Sequence, residues 1–210
     1  MLARVFGPSW CIELACWGIF AMFDYLGVLI SIILGLALTH LLRGLSRLIH
    51  MRRTIRPYWV HVVWTFNIVL YVLAYWWGMY WWKHQPDWTM QQFLFLITYA
   101  IVVFMLGSML YPPECPPDLD CERHFFDNRL WFFGILLLAF LMDVPETLLK
   151  GTEGLRAVPR EYFVIITLFI AITVTGLVTA NRKVHAVLAP AWLVLMVGYE
   201  TLTSVDKIVT

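Results

Sequence analysis

The chain has 210 residues, 61% of them hydrophobic and 14% charged, with a mean hydropathy of +0.75. A water-soluble domain carries roughly 45–50% apolar and about 25% charged residues, so this composition points to a chain that lives in a bilayer. A formal net charge of +1 excludes a general basic field for nucleic acid and an acidic one for a cationic partner.

A hydrocarbon core about 30 Å thick is crossed by about 20 apolar residues in helical form. Six runs meet that length, at roughly 24–46, 58–82, 91–111, 130–149, 162–180 and 184–205. They are continuous rather than alternating, which predicts helices and not barrel strands. The expected fold is an all-α integral membrane protein, a bundle of six transmembrane helices over 24–210. A short N-terminal interfacial helix is expected over 1–23. That stretch contains "WCIELACWGIFAMF", apolar but short and interrupted by Glu13. A seventh span of that length falls short of the core, and "LACWGIFAM" lacks a small-residue cleavage site for a leader, which leaves the interfacial reading.

The first span, "DYLGVLISIILGLALTHLLRGLSRL", repeats small residues every four positions at Gly27, Ser31, Gly35 and Thr39. Small side chains at that spacing let another helix backbone come close, here with packing inside the chain favoured over packing against another subunit. Arg43 and Arg47 follow, and with Arg52 and Arg53 of the first connection they read as anchors for anionic lipid or as a contact surface. The second span carries Asn67, whose amide needs a partner inside the bundle, and ends in Trp76, Trp77, Trp81 and Trp82, an aromatic belt at headgroup level.

The third connection, "PPECPPDLDCERHFFDNR", is the most distinctive aqueous segment. Asp118, Asp120 and Glu122 give it an acidic character that suits either pairing with the arginines of the first connection or docking of a cytosolic partner. Cys115, Cys121 and His124 lack the fourth ligand and C-x₂-C spacing of a zinc site. With Cys11 and Cys16 they complete a set of four cysteines, too few for a disulfide framework. His40, His61 and His185 fall at the inner ends of three spans without a diagnostic metal spacing.

The fourth run closes on "FLMDVPETLLKG", with Asp143 and Glu146 on either side of Pro145. Carboxylates are costly inside a bilayer, and proline removes a backbone donor and frees a carbonyl beside them. The fifth run adds Thr173, Thr175, Gly176 and Thr179, small and weakly polar, and the sixth carries Glu200 after Gly198 and Tyr199.

Nine Lys and Arg residues flank the first, third and fifth connections against six on the other side, which predicts both termini outside. Asp24, Asp143, Glu146 and Glu200 then collect towards the outer leaflet. Their oxygen chemistry suits H⁺, Na⁺ or Ca²⁺. The expected function is a channel or transporter for a small cation or proton in a plasma or inner membrane, built as a homo-oligomer. The other reading is a sensor or adaptor that docks a cytosolic protein or anionic lipid. No G-x-S-x-G, H-E-x-x-H or phosphate-binding glycine loop points to an enzyme, and no cofactor is expected.

Overall fold

The computed structural model describes the backbone of residues 9–85, 88–112, 119–150 and 161–209, and side chains within those stretches from 23 to 201 except at position 84. Six α-helices lie among the described residues: α1 (Ser9–His50), α2 (Trp59–Gly78), α3 (Met90–Ser108), α4 (Cys121–Leu149), α5 (Glu161–Val178) and α6 (Arg182–Val209). A 3₁₀ segment, Met79–His84, prolongs α2. Among the described residues the helical content is 87%, with no strands, and all six helices contain a stretch long and apolar enough to cross a membrane.

Most helix boundaries lie close to the apolar runs, and the starts of α1 and α4 depart from them. α4 starts at Cys121, nine positions before the expected run, because Asp120 caps it by accepting from the backbone N–H of Glu122 (3.0 Å) and Arg123 (3.1 Å). The N-terminal stretch expected to be interfacial is helical from Ser9 and continues into the first apolar run without a break; its side chains up to position 22 lie outside the described residues. α3 opens with a capping box, in which Thr89 Oγ1 accepts from Gln92 N and Gln92 Oε1 accepts from Thr89 N.

The helices form a closed ring in the order α1, α3, α4, α5, α6, α2, and α2 also touches α3 and α4 across it. α2 therefore turns a long face inward: Val60, His61, Trp64, Thr65, Asn67, Ile68, Tyr71 and Val72 are all buried. Aromatic rings fill the space around it, with Trp64 edge-on to Phe132 and Phe133 at 5.3 and 5.2 Å. On α5, Gly176 leaves room for the Phe133 ring, which a Cβ there would strike. The outward faces are apolar as well, as at Val28, Ile32 and Leu36 on α1 or Trp76 and Trp77 on α2.

Among the described residues, the small-residue series on α1 takes no close helix approach at its glycines. Open space surrounds the position of a Cβ on Gly27 and on Gly35, Ser31 and Thr39 are exposed, and the one cross-helix bond is Trp76 Nε1 donating to Ser31 Oγ at 3.1 Å. The close approach occurs further along α1 at Gly44, against which the Tyr111 ring lies flat.

Candidate functional site

Asp143 and Glu146 stand one turn apart on α4, and each has its own set of partners. Asp143 accepts a hydrogen bond from the Tyr162 hydroxyl of α5. The Tyr99 hydroxyl of α3 lies near the same carboxyl and bonds Tyr71 of α2 at 3.0 Å. Thr147 Oγ1 donates to the Asp143 carbonyl (3.1 Å) and lies 3.3 Å from the Tyr162 hydroxyl, which holds that ring in place. Glu146 receives the indole N–H of Trp82 on Oε1 and the Lys150 ammonium on Oε2, both at 2.7 Å.

The two carboxylates consequently differ. Glu146 has a matching cation one turn further along the helix, whereas Asp143 is held by the Tyr162 hydroxyl of α5. Pro145 removes the N–H that would bond the Leu141 carbonyl, and α4 stays helical through it to Leu149. The aromatic wall of this end is Trp82, whose ring centroid lies 5.7 Å from Trp88, itself 6.3 Å from Phe23.

Of the other expected acids, Glu200 sits on α6, which shares no backbone contact with α4 among the described residues. Its neighbour Tyr199 lies in the electrostatic field of Asp143. Asp24 is at the same end, next to Phe23, with an exposed side chain. The chain matches no family model, no curated protein and no solved structure.

A second polar group occupies the opposite end of the ring. Tyr111 is its centre: the hydroxyl bonds Thr65 Oγ1 at 2.9 Å, the carbonyl bonds His40 Nε2 at 3.2 Å, and the ring packs edge-on against His61 at 4.8 Å. His61 is 1% exposed, with neither ring nitrogen bonded to a protein group. His124, 6.4 Å from His61, bonds Asn128, and His185 reaches back to the Thr179 carbonyl at 2.8 Å. Among the described residues no three His, Cys, Asp or Glu side chains converge to hold a metal ion.

The charged connections meet at this end through the main chain. Arg56 N donates to Leu119 O at 3.1 Å, and Cys121 N donates to Arg56 O at 3.2 Å. Arg43, Arg52 and Arg53 are exposed and Arg47 half-buried, Arg52 turning back onto the Ile49 carbonyl. Glu122 pairs with Arg182, and Asp118 lies outside the described residues. An open cleft of about 460 Å³ lies between Asp120, Glu122, Arg123, Asp127 and Arg182.

The tyrosines were not among the residues singled out in the sequence. Tyr71 and Tyr75 fall one turn apart on α2, and Tyr75 donates to the Leu96 carbonyl at 3.1 Å. That spacing, with polar tips on an otherwise apolar face, is the signal that could have found them.

Proposed function

We propose that the protein is a six-span integral membrane protein that binds and conducts protons, with Asp143 as the proton-binding carboxyl. Six helices of sufficient length whose outward faces are apolar support the bilayer as its surroundings. The observation that carries the proton reading is the Asp143 environment: a carboxyl bonded by the Tyr162 hydroxyl and standing near the Tyr99–Tyr71 hydroxyl pair, all of which both give and take protons in hydrogen bonds. A bound Na⁺ or Ca²⁺ is less well served. Ca²⁺ takes six to eight oxygen ligands, and the Lys150 ammonium beside Glu146 repels a cation.

Proton flux into proteoliposomes under an imposed potential tests this. Wild type should acidify the lumen, Asp143→Asn should reduce the flux at least tenfold, and Glu200→Gln should leave most of it. No flux from wild type, or equal flux from Asp143→Asn, overturns the reading.

The second reading, docking of a cytosolic partner or an anionic headgroup, draws on the open charged cleft at the other end. It predicts that Arg123→Gln with Arg182→Gln weakens binding to vesicles containing anionic lipid and leaves proton flux as it was.

A further inference from the structure

We propose that the contact between α2 and α6 at mid-bundle is a water-binding junction, formed by Trp64, Asn67 and Trp192, which joins the two polar ends of the bundle into one proton path. The water site stands on its own geometry; the path rests on the proton reading of Asp143.

Trp64, Asn67 and Trp192 are all 0% exposed. Asn67 spends its amide N–H on the Ala189 carbonyl at 2.9 Å, which fixes the orientation of the amide and leaves Oδ1 as the acceptor with no protein donor. The indole N–H groups of Trp64 and Trp192 have no protein acceptor either, and their rings lie 6.0 Å apart. Trp64 and Asn67 are three apart on α2, as are Ala189 and Trp192 on α6, so one turn of α2 brings an indole donor and the amide oxygen and the facing turn of α6 brings a second indole donor. Pro190 adds an acceptor on α6, because the Ala186 carbonyl loses its helical donor.

Leaving a buried polar group unmet costs about 1–3 kcal/mol. In a hydrocarbon surrounding there is no bulk solvent to meet it. A buried water is held by two to four polar partners, and this junction supplies two donors and an acceptor of opposite polarity, the set that a water molecule complements.

The junction lies between two hydrogen-bonded groups on the same inward face. On one side stand His61, Thr65 and Tyr111, with His124 and Phe125 also facing the His61 ring. On the other stands Tyr71, bonded to Tyr99 near Asp143, with the Tyr71 ring 6.3 Å from Trp192. Thr65 and Tyr71 are six residues apart, a rise of about 9 Å. That is beyond a direct hydrogen bond and is spanned by about three links of about 2.8 Å each. The indoles and the amide do not themselves carry a proton; they hold the waters that do. Each water accepts a proton from one neighbour and passes another on, so no net charge is left behind.

Water-edited solid-state NMR of the full chain in lipid, with indole ¹⁵N labelling, tests the site directly. Rapid magnetisation transfer from water to the indole N–H of Trp64 and Trp192 is expected, assigned by Trp64→Phe and Trp192→Phe. Transfer no faster than at an indole buried among apolar rings overturns the water site and the path with it. Flux then tests the path: Asn67→Leu and Trp192→Phe should each lower proton flux at least fivefold, in protein whose elution volume and melting temperature show it folded. Flux lost in Asp143→Asn but retained in both junction variants overturns the path alone. Absence of flux in wild type overturns the path together with the reading of Asp143.

Discussion

Trp82 and Glu146 are joined by a 2.7 Å hydrogen bond from indole to carboxylate, tying the 3₁₀ extension of α2 to the end of α4. A hydrogen bond to a charged group contributes about 1.5–3 kcal/mol. Trp82→Phe keeps an aromatic ring and loses the donor, so the melting temperature in detergent should fall. Glu146→Gln should abolish most of the difference between Trp and Phe at position 82. If Trp82→Phe costs as much in the Glu146→Gln background as in wild type, the bond contributes nothing.

Glu146 also carries the Lys150 pair, with side chains 9% and 22% exposed. Removing one partner of such a pair strands a charge and costs about 3–5 kcal/mol when burial is complete, less here because Lys150 reaches solvent. Lys150→Met should therefore destabilise more than Lys150→Met combined with Glu146→Gln. Equal losses in the single and double variants, measured by denaturant titration, would show that the pair is screened.

Glycines on α1 should respond to alanine according to position. Gly44→Ala forces the Tyr111 ring off the helix and disturbs its bonds to Thr65 and His40, with an expected loss of about 1–3 kcal/mol. Gly27→Ala and Gly35→Ala face open space and should change stability by less than about 0.5 kcal/mol. Thermal melts of the three variants side by side decide this.

The same open face makes a statement about self-association. If a second copy packs on the small residues of α1, Gly35→Cys in a chain stripped of its native cysteines should form a disulfide-linked dimer under mild oxidation, while Leu42→Cys, at another exposed position, should not. Equal crosslinking at both positions would indicate random collision.

Asp120 should behave as a helix cap. Asp120→Ala removes the acceptor for two N–H groups and is expected to cost about 1 kcal/mol, and Asp120→Asn should restore most of it. Backbone amide exchange at Glu122 and Arg123 reports the loss locally.

The extent of the apolar segments was legible because hydrocarbon thickness sets a length that composition alone can meet or miss. The start of α4 was not, since "CERHFFDNR" has the charge density of a connection. In the fold it is about two and a half helical turns outside the apolar run, supported by the Asp120 cap and the Arg123 and Asp127 pair at 3.7 Å. Asp143 and Glu146 stand out in the sequence as carboxylates in an apolar run. Their different partners do not, because Tyr99, Tyr162 and Trp82 come from three other segments and only the ring of helices brings them together. The α1 stripe shows the reverse: a pattern that reads as close helix packing, whose glycines meet open space among the described residues while the Trp76 indole alone reaches Ser31.

The closure of the ring by α2 against α6 has a consequence for biosynthesis. α2 packs its inward face against α6, which is synthesised well after it, through Asn67 and Ala189, 122 positions apart. Until α6 has been made, the Asn67 amide lacks its acceptor and Trp64, already packed on Phe132 and Phe133 of α4, lacks Trp192, so the nascent bundle is a horseshoe with its polar lining open to one side. Long-range closure of this kind is slow and comes late. Chains stalled or truncated before residue 189 would accumulate as that open form, the species on which membrane quality control would act.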